Sequence, residues 1–226
     1  HIAFYIYGAT SIVLLAAATA SVLDGSALTI AYTIEVGLLV ILGYAVSNKV
    51  RVAEALSWLF TVPIFLSFGN ISSRAWREGF MHDDFFVLII LMAAMAFTSA
   101  YFFGKKLTGQ IAETKLNVVL GVGTAIYGMI LIWLVTHSVM AEDTATMTSL
   151  IVYTLVGLTL YIRGKIQNMK AEWVLGIFVL SGVIARLLLV EVWNMALTGR
   201  IITFCVIGVL LISTAFISRS KPSNKE

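Results

Sequence analysis

Cysteine, proline and charge are all scarce in this chain of 226 residues. A single cysteine, Cys205, excludes an intramolecular disulfide. Its place inside an apolar run predicts a small buried side chain, not a reactive thiol. Of the two prolines, Pro63 is the one that interrupts a long apolar run, where it predicts a kink. Only 12% of residues are charged, too few to coat a water-facing surface, so a soluble globular domain is excluded. No complete catalytic, cofactor or metal motif is present. No strand is expected, so no glycine-rich phosphate loop follows one. The first apolar run has no basic flank before it, which argues against a cleavable signal.

Apolar residues make up 60% of the sequence, and the mean hydropathy is +0.97. That is more apolar surface than one core can hide, and lipid is the solvent that resolves it. A spanning helix needs about 20 largely apolar residues. Eight stretches qualify: Ile2–Leu23, Ala27–Ser47, Val52–Gly69, Phe85–Phe103, Leu116–Met140, Thr148–Ile162, Trp173–Val190 and Ile201–Ile217. None shows the polar face at 3.6-residue spacing that marks a soluble amphipathic helix. The expected fold is an all-α polytopic transmembrane bundle of about eight spans.

The basic residues give the bundle a direction. With eight spans, eleven of the fifteen Lys and Arg fall on one side: Lys49, Arg51, Lys105, Lys106, Lys115, Arg163, Lys165, Lys170, Arg219, Lys221 and Lys225. Arg74, Arg77 and Arg200 fall on the other, and Arg186 lies within a span. Basic excess marks the cytoplasmic side, so both termini are expected there, in a bacterial inner (plasma) membrane. The net charge of +3 thus reflects topology, and no nucleic acid partner is expected. Membrane lipids are, with a homo-oligomer or other envelope proteins as further partners.

The two halves echo each other. Ile6-Tyr7-Gly8 recurs as Ile126-Tyr127-Gly128, Asp24 as Asp143, Tyr32-Thr33 as Tyr153-Thr154, Gly37 as Gly157 and Ala53-Glu54 as Ala171-Glu172. Thr98-Ser99-Ala100-Tyr101 parallels Ser213-Thr214-Ala215-Phe216, and all offsets lie between 115 and 121. This predicts two four-helix repeats, 1–115 and 116–218, before a basic cytoplasmic tail, 219–226. An even number of spans per copy makes the repeat parallel.

From about Thr148 to Ile217 the chain carries a distinctive set of residues: Arg163-Gly164-Lys165, then Arg186, Glu191, Arg200, Phe204 and Gly208. Over this third it resembles the bacterial multi-pass membrane family known as domain of unknown function twenty-three thirty-nine. That family's pattern has a lysine, an aspartate five residues later and an arginine nine further on, then a hydrophobic stretch with phenylalanine and glycine. Here Arg186 and Glu191 stand for the lysine and aspartate. Charge is kept, though Arg and Lys are not interchangeable at a geometric site. The resemblance implies a polytopic helical protein with repeated units, and it supplies no catalytic residues. Its members are longer, and this chain opens on His1, so a portion of a larger protein or a short member is expected.

Ionisable residues inside a membrane cost at least about 2.5–3.5 kcal/mol and are functional candidates by default. Glu35 and Arg186 are the two here, both expected in the outer half of the membrane, with Glu191 and Arg200 beside Arg186. An ion pair of Arg186 with Glu35 or Glu191 would lower the burial cost. A snorkelling Arg186 that only fixes packing is the alternative, as is a protonated Glu35 bonded to a neighbouring helix. No cofactor is expected.

The outer loop Asn70–Asp84 holds Arg74, Trp76, Arg77, Glu78, His82, Asp83 and Asp84, with His137, Glu142 and Asp143 on the same side. These have no recognised metal-ligand spacing. His137 and Glu142 have the spacing of a histidine–carboxylate acyltransferase pair, with Glu for Asp and no partner blocks. Asn70-Ile71-Ser72 matches a glycosylation acceptor. Trp58, Trp76, Trp133, Trp173 and Trp193 lie mostly near span ends, as an aromatic belt requires. Gly121, Gly123 and Gly128 are expected to admit close helix approach. A retinal protein is excluded, since no lysine lies mid-span in the last helix.

Three functions fit. The first is a transporter-like or permeation unit, or the membrane domain of a larger envelope protein. Its polar pocket would open outward between the repeats, with Glu35 exchanging a proton and Arg186 attracting an anionic group. The second is an enzyme acting on lipid-linked substrates through His82, Asp83, Asp84 and His137. The third is a structural scaffold.

Overall fold

In the computed structural model the described residues are 2–107, 116–166 and 170–187, with 197–198, 201–202, 204–209 and 212. Every regular element among them is helical. The order is α1 (Ile2–Val22), α2 (Gly25–Ser47), α3 (Val50–Ser57), a 3-10 helix (Trp58–Phe60), α4 (Thr61–Ile71), a second 3-10 helix (Arg74–Arg77), α5 (Asp83–Leu107), α6 (Leu116–Val139), α7 (Glu142–Ile166) and α8 (Lys170–Arg186).

Among the described residues, five helical stretches are long and apolar enough to cross a membrane: Gly25–Ser47, Val50–Ile71, Asp83–Lys105, Leu116–Val139 and Glu142–Ile166. Only 17–39% of each is buried within the protein, so most of their apolar surface needs a non-aqueous neighbour. Phe65, Phe97, Val119 and Phe178 are among the large side chains turned outward. The shorter apolar stretch Thr10–Val22 belongs to α1. The described part of α8 has 17 residues, and eight of the 17 residues of the expected eighth span lie outside the described residues.

Two of the expected spans differ instructively from the helices that form. Around Pro63 the third is not one smooth α-helix. Pro63 has no N–H to donate, and its ring crowds the preceding turn. The chain tightens to a 3-10 turn over Trp58–Phe60, where the Thr61 N–H reaches back to Trp58. Hydroxyls take up the carbonyls near the break: Ser57 Oγ donates to Glu54 O and Thr61 Oγ1 to Trp58 O, each at 2.7 Å. The expected kink is therefore a tightened turn placed just before the proline.

The sixth expected span, Thr148–Ile162, is instead the middle of the 25-residue α7. Hydropathy discounts the polar first turns Glu142–Ser149. Yet the two acidic residues stabilise the helix N-terminus. Ser149 and Thr154 donate back to Ala145 O and Leu150 O at 2.8 and 2.7 Å, which removes the cost of carrying hydroxyls into the helix.

The chain separates into two compact units, His1–Leu131 and Ile132–Glu226, with the divide inside α6. In the first unit α2 is the central helix, against α3, α4 and α5. Val40, Val87, Leu88, Leu91 and Phe102 are fully enclosed there. Tyr44 meets Phe102 edge-on at 5.4 Å. Ser67 on α4 and Tyr127 on α6 share a buried hydrogen bond of 2.6 Å.

In the second unit α7 and α8 form an antiparallel pair at near-backbone contact. A Cβ at Gly176 would lie 2.4 Å from Tyr161 N, and one at Gly164 would lie 2.3 Å from Trp173 N. Arg163 Nε and Glu172 Oε2 form an ion pair at 3.4 Å beside that crossing. The glycines singled out in α6 pack more loosely. Gly123 and Gly128 face the flexible sulfurs of Met95 and Met92, at 3.1 and 3.6 Å from a notional Cβ.

A local arrangement recurs in the two units. Tyr32 on α2 donates to Ala16 O of α1 at 2.8 Å, and the Tyr153 hydroxyl on α7 hydrogen-bonds the main chain of α6 at Trp133. The threonine after each tyrosine is fully buried and donates to its own helix four residues back, at 2.7 Å in both.

Candidate functional site

Glu35 lies at the middle of α2, ten residues from Gly25 and twelve from Ser47. At 1.5 Å per residue it is about 15 Å from the nearer end. Because α2 begins at Gly25 rather than Ala27, this is deeper than the sequence predicts. Thr19 on α1 donates its hydroxyl to Glu35 Oε1, and Tyr32 sits one turn earlier on the same face. These two bonds stitch α1 to α2. Among the described residues Glu35 makes no ion pair.

Glu35 opens onto a cleft of about 110 Å³ between α1, α2 and the broken third span. Its walls include Ile12, Leu15, Leu39, Leu59 and Val62, with Tyr32 and Glu35 as the polar contributors. Among the described residues no basic side chain lines it. Chemically it is an aliphatic slot with one carboxylate and one aromatic ring.

Arg186, in the second unit, ends α8 and is half-buried. Its guanidinium carbon lies 3.6 Å from the ring centre of Trp133. The His137 ring also lies 3.6 Å from Trp133, tilted by 34°. Arg186 and His137 thus both pack closely against the Trp133 ring. His137 Nδ1 donates to Trp133 O at 2.9 Å, which leaves Nε2 of the neutral ring as acceptor for Thr146 Oγ1 at 3.3 Å. Thr136 and Ser149 share a 2.7 Å bond between α6 and α7. Tyr153 lies close enough to Arg186 to feel its charge. The cluster joins α6, α7 and α8, and it uses both nitrogens of His137.

Glu191 and Arg200 lie outside the described residues. Glu142 is exposed at the start of α7, so the spacing it shares with His137 does not reflect a catalytic pair held in contact.

The loop Asn70–Asp84 is folded. Trp76 is buried and donates Nε1–H to Asn70 O at 2.9 Å. The His82 ring stands edge-on to Trp76 at 4.3 Å, and its Nδ1 is 3.6 Å from Asp84 Oδ2. Asp84 in turn accepts from Ser26 of α2 at 3.5 Å. Asn70 Nδ2 is buried, so the glycosylation pattern is not presented as an accessible amide. Among the described residues no three of His, Cys, Asp and Glu converge as metal ligands would.

Two further expectations need correction. Trp58 and Trp173 are exposed, 76% and 41%, as a belt requires. Trp76 is instead buried, and Trp133 is half-buried against Arg186 and His137. Cys205 is exposed rather than buried, because its helical stretch turns that face outward. The sequence missed the Trp133–His137–Arg186 stack. The four-residue spacing of Trp133 and His137 was its visible half.

No family model, no curated protein and no solved structure matches the chain.

Proposed function

We propose that the chain is a transporter-like or permeation unit of a bacterial inner membrane, alone or as the membrane part of a larger envelope protein, and that Glu35 is its working group. One observation carries this reading: a carboxylate at mid-span, held by a single hydroxyl and opening onto a cleft in an otherwise apolar wall. A charge at that depth is costly without a partner. A group that exchanges a proton there, or meets a passing cation, relieves that cost intermittently. The eight-span, parallel-repeat architecture with cytoplasmic termini is part of the proposal. The recurring Tyr-Thr arrangement supports it, as does the placing of Lys49, Lys105, Arg163 and Lys165 at helix ends. So too is membership of the family that the C-terminal third resembles.

The test is a pH-gradient assay in proteoliposomes. Wild-type protein is expected to dissipate the gradient faster than protein-free vesicles, and Glu35→Gln to return the rate to the protein-free value. Equal rates for wild type and Glu35→Gln would overturn the reading. For Arg186 the stack on Trp133 favours the scaffold role, in which its cation clamps α8 to α6.

A further inference from the structure

The Glu35 cleft has walls of a particular chemistry, and that chemistry selects its guest. An anion is a poor match, because among the described residues the carboxylate of Glu35 lines the walls and no lysine, arginine or histidine does. A bare metal ion is a poor match. Hard cations want several oxygen ligands, whereas among the described residues Thr19 is the one hydroxyl bonded to the carboxylate and the rest of the wall is aliphatic apart from Tyr32. A neutral apolar guest would leave the carboxylate unanswered in a low-dielectric setting. What remains is a cation that carries its own apolar surface.

The aromatic wall points the same way. The Tyr32 hydroxyl is held by Ala16 O, so the ring is fixed in place where it lines the cleft beside Glu35. A carboxylate, an aromatic ring and aliphatic walls together form the usual recognition set for substituted ammonium groups. Size agrees. At about 30 Å³ per water, a cleft of about 110 Å³ takes three or four waters, or one ammonium centre with short alkyl arms.

We propose that the Glu35 cleft binds small substituted ammonium cations, in competition with a proton on the same carboxylate. This rests on the permeation reading, since it assigns that site its cargo. Binding and protonation exclude each other at Glu35, so the cation leaves as a proton arrives. No bond other than O–H forms or breaks. Thr19 remains a donor to the carboxylate, and Tyr32 supplies the ring face.

The test uses the full chain, purified in detergent, with tetramethylammonium as probe and tert-butanol as a neutral molecule of similar bulk. Tetramethylammonium affinity is expected to rise by up to about tenfold per pH unit while the proton competes. It should be lost in Glu35→Gln and kept in Glu35→Asp. Tyr32→Leu should weaken it by about three- to tenfold, and Tyr32→Phe should leave it near wild type. Any tert-butanol binding should be indifferent to Glu35→Gln. Helical circular dichroism of each variant separates misfolding from loss of the site. No tetramethylammonium binding to wild type, or binding that survives unchanged in Glu35→Gln, would overturn the proposal. The proteoliposome assay keeps the two readings apart. Glu35-dependent proton flux without ammonium binding leaves permeation standing and removes the cargo. Glu35-dependent binding without flux does the reverse.

Discussion

The α1–α2 pair and the α7–α8 pair are both antiparallel hairpins of apolar helices, yet they are joined in opposite ways. Between α7 and α8, Gly164 and Gly176 bring main chain against main chain, so nothing fits in between. Between α1 and α2 the link is two side-chain hydrogen bonds, from Thr19 to Glu35 and from Tyr32 to Ala16. Gly8 of α1 has nothing near it. Lipid gives no hydrophobic drive for helices to associate, so closeness has to come from small residues and polar contacts. The second unit uses the first device along its whole crossing. The first unit uses the other, and leaves a cleft where the ionisable group sits.

Breaking the tight pair should have the largest effect. Gly176→Ala drives a methyl into the Tyr161 backbone, which cannot rotate away as a side chain can. A loss of about 2–3 kcal/mol is expected in reversible unfolding in detergent, against a change within about 0.5 kcal/mol for Gly8→Ala. Equal effects would mean that the two pairs are not built differently. Next is the aromatic clamp on the tight side. Arg186→Met, which keeps the chain length and removes the cation, should cost about 1–2 kcal/mol in the same measurement. In Trp133→Leu background it should cost less, because the two residues are in contact and their effects are not additive. The smallest effect compares the matched tyrosines. Tyr153→Phe should cost about 1 kcal/mol and Tyr32→Phe about half that, since Tyr153 is buried and Tyr32 stands at a cleft.

Much of the helical layout was legible in the sequence, because a spanning helix needs a long apolar run and the chain has little else. Ala27–Ser47 and Leu116–Met140 differ from α2 and α6 by two residues and one. Glu35 was legible for the same reason: an acid in an apolar run is conspicuous. Its depth was not, because hydropathy does not register Gly25-Ser26 as helix. Thr19 was invisible as its partner, since a threonine in an apolar run gives no sign of which neighbour it faces. Arg186 was also conspicuous as a charge in an apolar run. The indole face it meets on another helix is a contact that charge counting does not see. The glycines failed for a related reason. Gly121 and Gly123 draw the eye by proximity in sequence, whereas Gly164 matters by facing the Trp173 backbone across a hairpin and Gly176 by facing that of Tyr161. Trp76 and Trp133 resemble belt residues by position, and only their hydrogen-bonding or stacking partners show that the protein engages them.

The tightened turn at Trp58–Phe60 alters the phase of its span. An α-helix advances about 100° per residue and a 3-10 helix about 120°, so three residues of the tighter winding rotate everything after them by about 60°. Positions three apart, staggered in an α-helix, become eclipsed there. Leu59 lies in that turn and Val62 just after it, and both line the Glu35 cleft. The backbone irregularity thus sets the azimuth of a binding surface formed largely by side chains on other helices.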